Sequence, residues 1–170
     1  MRSHFQMFAT YNAWANRELY AAAAALTPEE LNRNTGAFFG PLIRTLNHIL
    51  VADRVWLNRL TGEGMLPTAL DQVLHTDLAD LRQAREVEDA RFVALMDTLD
   101  DERLAASFSF TPVGKTEPVI TQHVASTLAH VFNHQTHHRG QAHATLTALG
   151  KPSVTLDLVY FLRSEGRQWL

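Results

Sequence analysis

Cysteine is absent from this chain of 170 residues, and its absence removes several kinds of site. Disulfides, iron–sulfur clusters, thiolate zinc sites and a cysteine nucleophile are all excluded. Long apolar runs are missing too, since the longest, residues 20–26, is far shorter than the roughly 20 residues that a membrane-spanning helix needs. Asn16, Arg17 and Glu18 directly precede this run, where a signal peptide would carry its apolar centre. We therefore expect a soluble, cytoplasmic protein that does not insert into a membrane.

The chain also lacks an excess of charge of either sign. Its net charge of −3 provides no attraction to nucleic acid, so we expect no nucleic-acid partner. A hydrophobic content of 46% is sufficient for one core in a chain of this length. No linker or repeat interrupts the pattern of the sequence, which favours a single domain over residues 1–170.

Three catalytic motifs are missing as well. No His-Glu-x-x-His occurs, which excludes the metalloprotease mechanism with its carboxylate base. No Glu-x-x-His occurs either, which argues against a ferritin-like di-iron centre. The glycines at positions 36 and 40 follow no strand and precede no lysine, so they do not form a phosphate-binding loop.

Apolar residues recur at three- and four-residue steps over most of the chain, which is typical of amphipathic helices. The sequence predicts main helices over residues 3–26, 41–61, 77–99 and 121–149, a short helical turn after Thr27, a loop or small hairpin over 103–120, and a last helix over 155–163. In the longest helix, Thr121 is the expected N-cap and Gly150 the expected stop. The predicted fold is all-α: an up-and-down four-helix bundle with a short extra helix at the C-terminus and an irregular or hairpin insert before the last main helix.

Charged residues on two of these helices have open interpretations. Asp53 falls in the apolar stripe of the second main helix, either as a buried carboxylate satisfied by an arginine or tryptophan N–H, or as a partner beside a functional site. The third main helix carries a dense set of charges that is typical of a solvated face: Arg82, Arg85, Glu86, Glu88 and Asp89.

Most of the nine histidines lie in the last main helix. His130, His134 and His138 are four residues apart, so they fall on nearly the same side of the helix, at the margin of its apolar stripe. His48 lies beside the apolar stripe of another helix. Such histidines can close a metal site between two helices, or can be core-edge side chains with hydrogen bonds to the backbone.

Four segments together resemble the DinB/YfiT-like family of damage-inducible, metal-dependent bundles. They are residues 11–16 (YNAWAN), 46–50 (LNHIL) with Asp53 and Trp56, 133–141 (NHQTHHRGQ) and 156–163 (LDLVYFLR). The resemblance implies that His48, His134 and His138 hold a divalent metal ion and that His130 and His137 do not. His130 is expected to contact the site or a substrate, and His137 to be structural or to face solvent.

A divalent ion held by three neutral imidazoles can activate bound water or a small thiol, so we expect a metal-dependent enzyme that acts on a small molecule as a hydrolase or as a transferase. The resemblance favours a thiol-dependent S-transferase or isomerase. Its partner would then be a substrate such as a low-molecular-weight thiol. The alternatives are a non-catalytic metal-binding stress-response protein and a module whose histidines sense pH. Imidazole ligands suit zinc, nickel, iron and copper alike. Asp53 and Glu117 are the candidates for a general base, and the aromatic helix faces favour a homodimer.

Overall fold

A computed structural model describes residues 1–170. Its helices are α1 (Arg2–Ala23), α2 (Pro28–Leu31), α3 (Leu42–Thr61), α4 (Leu78–Thr98), α5 (Asp101–Ala105), α6 (Val124–Ala148) and α7 (Leu158–Arg163), with a 3₁₀ turn at Arg167–Trp169. Two short strands, β1 (Ser107–Phe110) and β2 (Ile120–His123), form one antiparallel hairpin. No helix has the length and apolarity needed to cross a bilayer.

The four long helices, α1, α3, α4 and α6, form the predicted bundle, so the expected fold class is confirmed. Helix α1 packs against α4 and α6, and α3 packs against the same two helices. Helices α1 and α3 therefore lie across the diagonal of the bundle, as do α4 and α6. The long connections 24–41 and 99–123 span these diagonals. As a result, α3 and α6, which carry the histidines of interest, are neighbours although 62 residues separate them in the chain.

Local signals set the ends of several helices. Thr27 accepts a hydrogen bond from the Glu30 backbone N–H, and the Glu30 side chain accepts one from the Thr27 N–H, which completes a capping box. Asp77 caps α4 through the backbone N–H groups of residues 79 and 80. Gly62 ends α3 with a φ of 76°, a left-handed conformation that glycine adopts without steric cost.

The segment before α6 differs from the prediction. Strand β2 runs from Ile120 to His123, so extended structure passes the predicted end at residue 120 and α6 begins at Val124. Thr121 is therefore not an N-cap, and the prediction was wrong on this point. It pairs with Ser109 across the hairpin, where their hydroxyl oxygens lie 2.8 Å apart. Pairing with a strand 12 residues away overrides the capping preference of this threonine.

The charged face predicted for the third main helix is also wrong in part. Arg82 and Glu86 are exposed as expected, but Arg85, Glu88 and Asp89 are buried. Helix α4 packs against both α1 and α3, so these three side chains face other helices rather than water. Each meets a partner of opposite charge: Arg85 contacts Asp53 and Asp89, and Glu88 contacts Arg54 and Arg91.

Candidate metal centre

The three predicted ligands meet where α3 packs against α6. The Nε2 atom of His134 lies 3.3 Å from Nε2 of His48 and 3.0 Å from Nε2 of His138. One ring nitrogen from each residue can be chosen so that all three lie within 4.8 Å of one another. His48 and His138 are each 7% exposed, and His134 is partly exposed. The structure therefore brings together three imidazoles whose ring nitrogens face one small volume.

Two of the three rings are oriented through their other nitrogen. The Nδ1 atom of His48 lies 2.8 Å from the carbonyl oxygen of Leu70, and Nδ1 of His138 lies 2.8 Å from Oε1 of Gln141. A carbonyl oxygen only accepts, so in both rings Nδ1 carries the proton and donates. The lone pairs of His48 and His138 are thus on Nε2. Metal-bound histidines are usually held in the same way, with the second ring nitrogen donating to a carbonyl or carboxylate.

The spacing of these nitrogens fits a first-row metal ion. Zinc–nitrogen bonds of about 2.0–2.1 Å in a tetrahedral arrangement place two ligand nitrogens about 3.3 Å apart. The distances of 3.3 Å and 3.0 Å between the Nε2 atoms are close to this value. Three neutral nitrogen donors on two rigid helices, two of them oriented by outer hydrogen bonds, match what such an ion requires of a protein.

Burial keeps these imidazoles neutral. Desolvation, together with the nearby rings of His138 and His48, lowers the pKa of His134 to about 3. Desolvation likewise lowers the pKa of His138 to about 4, against the Gln141 hydrogen bond that raises it. The pKa of His48 is also lowered, chiefly by burial. All three rings therefore hold free lone pairs at neutral pH, which is the form that binds metal.

Aromatic side chains flank the three histidines on two sides. Phe39 stacks on His48 with ring centroids 4.2 Å apart, and it lies 5.7 Å from the ring of His138. On the other side, Trp56 lies edge-on to His130 at 5.3 Å, and His130 lies 5.6 Å from His134. Phe39 thus contacts two of the three candidate ligands directly, whereas Trp56 reaches them only through His130.

Two further histidines of α6, His130 and His137, are exposed. Exposure rises along α6 from buried His138 through partly exposed His134 to exposed His130. This order follows from the rotation of about 40° that accompanies each four-residue step of a helix. His137 is exposed, and its Nε2 lies 3.1 Å from Nε2 of Gln141. Neither His130 nor His137 belongs to the converging group of nitrogens.

Neither candidate base reaches the histidine group. Asp53 is 1% exposed and contacts Arg85 and Gln135, so its first interpretation, a buried carboxylate satisfied by arginine, is the one the structure supports. Glu117 is exposed in the turn between β1 and β2. No carboxylate joins the three histidines as a potential ligand.

Reasoning from the sequence missed three residues around the histidines: Gln141, Phe39 and Leu70. Gln141 was detectable, because it lies three residues after His138 and side chains at that spacing are neighbours on a helix. Phe39 and Leu70 belong to the connections before and after α3, where no periodic pattern shows which side chain or carbonyl turns towards the bundle.

Sizeable cavities occur away from the histidine group. One of about 540 Å³ lies between the start of α1 and α6 beside Phe5 and Phe132. Another of about 270 Å³ lies between α1 and α4 beside Tyr20 and Arg85. Neither is lined by His48, His134 or His138, so cavity volume alone does not identify the candidate site; the convergence of donors does.

These features define a helical bundle with a three-histidine cluster of metal-binding geometry. A profile of the DinB family matches residues 1–169, and the chain belongs to the DinB family. It is 26% identical over 161 residues to Protein DinB of Bacillus subtilis (strain 168), an alignment that covers 89% of this chain and 90% of that protein. The crystal structure of a DinB-like protein from Bacillus cereus ATCC 10987 matches with a TM-score of 0.65 at 24% identity, covering 86% of this chain and 91% of the other. That likeness supports the fold alone.

Proposed function

We propose that His48, His134 and His138 hold one divalent metal ion and that the protein is a metal-dependent enzyme acting on a small molecule. The observation that carries the proposal is the convergence of three Nε2 atoms while Nδ1 of His48 and of His138 donates to a carbonyl oxygen. At most one of these three facing Nε2 atoms carries a proton to share, whereas a divalent cation would accept all three lone pairs at once.

The donor set supports activation of a thiol or of water. A divalent ion held by three neutral imidazoles keeps its full charge and an open position, and it lowers the pKa of a thiol or water molecule bound there. The reaction would be a thiol-dependent transfer or a hydrolysis. Zinc, nickel and iron all suit three imidazoles, so the donor set does not choose among them.

The surroundings of the three histidines support a small and partly apolar substrate. Phe39 stacks on His48, Trp56 lies edge-on to the neighbouring His130, and both side chains are only partly buried. Phe38, which contacts Phe39 edge-on, is 84% exposed. These rings can contact a substrate and exclude water around it, while exposed His130 can offer a hydrogen bond.

One observation favours the alternative of a non-catalytic metal-binding stress-response protein. Many metal-dependent hydrolases place a carboxylate base beside the metal, and here no carboxylate joins the histidine group. Asp53 is occupied by Arg85 and Gln135. The thiol-dependent reaction needs such a base less than hydrolysis does, because a small thiol loses its proton more readily than water does.

The test is spectroscopic and uses Co²⁺ as the probe. We expect the protein to bind one Co²⁺ with an absorption spectrum of low coordination number, and 2-mercaptoethanol to add a sulfur-to-cobalt charge-transfer band. Hydrolysis of activated esters without this band would indicate the hydrolase. Binding of Co²⁺ with neither response would support the non-catalytic alternative, and no binding would refute the metal site.

The homodimer stays a prediction. Light scattering that gives the mass of a monomer would reject it.

A further inference from the structure

Six buried side chains, contributed by all four main helices, contact one another in a closed circuit. They are Asn12 of α1, Asp53 of α3, Arg85 and Asp89 of α4, and Gln135 and Arg139 of α6. None of them is more than 6% exposed. We call this set the buried ring. None of its residues belongs to the proposed metal site, so that site does not explain why these polar side chains are buried together.

One half of the ring joins α6 to α4 through α3. The Gln135 amide donates a hydrogen bond to Oδ2 of Asp53. Nη1 of Arg85 lies 2.6 Å from the same oxygen, and Nη2 of Arg85 lies 3.1 Å from Oδ1 of Asp89. Arg85 thus bridges two carboxylates, and one oxygen of Asp53 contacts both the Arg85 guanidinium and the Gln135 amide.

The other half returns through α1. Nδ2 of Asn12 donates to Oδ1 of Asp89 over 3.2 Å. Nη1 of Arg139 donates to Oδ1 of Asn12 and, over 3.3 Å, to Oε1 of Gln135, which closes the circuit. Two arginines balance two aspartates, so the ring carries no net charge when all four groups are ionised.

The ring and the candidate metal ligands alternate along α6. Gln135 directly follows His134, and Arg139 directly follows His138. Consecutive residues differ by about 100° around a helix. When Gln135 and Arg139 face the interior of the bundle, His134 and His138 must face α3. A rotation or axial slip of α6 that moved the histidines would also pull both ring residues from their partners.

We propose that the buried ring sets the rotation and axial position of α6 relative to α3, so that Gln135 and Arg139 are positioning residues for the histidine group. The proposal rests on the proposed metal site. Apolar packing alone tolerates small rotations, because one methyl group can replace another at a contact. Buried charged and amide groups do not tolerate them, since a displaced partner leaves a charge unpaired in a medium where that is costly.

A matched pair of substitutions separates positioning from simple stabilisation. Gln135→Met removes the link from α6 to Asp53 at nearly constant volume. Glu88→Met is the control: Glu88 is equally buried, and its contacts with Arg54 at 2.9 Å and Arg91 at 2.6 Å link α4 to α3 without reaching α6. For each protein we would measure the Zn²⁺ affinity by calorimetry, the Co²⁺ absorption spectrum and the thermal unfolding of the metal-free form.

We expect both variants to unfold at lower temperature but only Gln135→Met to bind Zn²⁺ more weakly, by about tenfold, with a shifted Co²⁺ spectrum. Equal losses of affinity in the two variants, or unchanged affinity in Gln135→Met, would overturn the proposal. If Gln135→Met does not fold, Asn12→Ser combined with Asn16→Ser decides by the same criteria, because Asn16 also donates to Asp89 over 3.0 Å and accepts from Arg139. Absence of Zn²⁺ binding in the wild-type protein would remove both this inference and the metal site, whereas normal binding with an unaffected Gln135→Met would remove only the inference.

Discussion

The histidine group and the buried ring lie side by side in the same bundle, yet their polar groups are arranged in opposite ways. In the ring, every residue meets a partner of complementary charge or hydrogen-bonding character. In the histidine group, His48 and His138 carry their protons on Nδ1, so at most His134 can donate to another Nε2 atom. Opposite charges are paired in the ring, although Oδ1 of Asp53 and Nε of Arg85 have no hydrogen-bond partner, whereas three facing bases gain most from a cation. The pairing of opposite charges therefore distinguishes the ring from the histidine group, which has only bases facing one another.

The two regions also respond to pH in opposite directions. The lowered pKa values of His134 and His138 mean that metal-free stability is lost as pH falls from about 6.5 towards 3 or 4. Burial raises the pKa of Asp53 to about 6, although the charge of Arg85 lowers it. Its contribution to stability is present below about pH 4 and is lost as pH rises through about 6.

The largest effect is expected from breaking the ring at its most buried charge. Arg85→Met leaves Asp53 and Asp89 without their shared cation, and removal of one partner of a buried ion pair costs about 3–5 kcal/mol. Urea unfolding at neutral pH measures the loss. Arg82→Met is the control on the same helix, because Arg82 is exposed and pairs only with exposed Glu86, which contributes less than about 0.5 kcal/mol. Similar losses in the two variants would contradict the importance assigned to the ring.

Substitution of the histidines comes next. His48→Ala, His134→Ala and His138→Ala should each lower metal affinity by at least about a hundredfold, which equals about 2.7 kcal/mol, because two remaining ligands hold the ion poorly. His137→Ala should retain stoichiometric metal, since its ring lies outside the group. His130→Ala should also retain metal. Elemental analysis after dialysis is the measurement, and equal metal content in the wild type and all three ligand variants would refute the site.

The sequence predicts the main helices well because their signals are local. The apolar stripe of α3 and the capping residues Thr27 and Asp77 depend on neighbours within one or two turns. The burial of Arg85 and Asp89 could not be predicted in this way. It depends on partners such as Asp53 and Asn12, which are 32 and 77 residues distant in the chain. A charged run with unknown partners has the same pattern as a solvated face.

The candidate site was predictable in part for the same reason. The spacing of His134 and His138 shows that they share a helix face, but His130 has that spacing too. Only the drift of 40° per step and the position of α3 separate His130 from the other two. The choice of His48 as the third member came from resemblance to the family. Packing of α3 against α6 is what places it within 3.3 Å of His134.

A smaller effect should appear in the dependence of stability on pH. Asp53→Asn keeps an acceptor for Gln135 but removes the group whose pKa burial raises to about 6. Wild-type stability should therefore fall by about 2 kcal/mol more than that of the variant between pH 4 and pH 7.5. Urea unfolding of the metal-free proteins across this range tests it, with Asp157→Asn, an exposed aspartate whose side chain caps no helix, as the control. Parallel stability curves for wild type and Asp53→Asn would contradict the raised pKa.

The smallest effect concerns the link between the histidine group and its surroundings. Gln141 accepts the Nδ1–H of His138 over 2.8 Å, which fixes the ring so that Nε2 faces His134. Gln141→Met should keep one bound metal ion but weaken its binding by about tenfold, about 1.4 kcal/mol, as loss of an outer hydrogen bond to a ligating histidine usually does. His137→Ala controls for the contact of Gln141 with His137, and it should leave affinity unchanged. Calorimetry with Zn²⁺ measures both. If Gln141→Met binds as tightly as the wild type, the orientation of His138 comes from packing against Phe39 instead, and the hydrogen bond is dispensable.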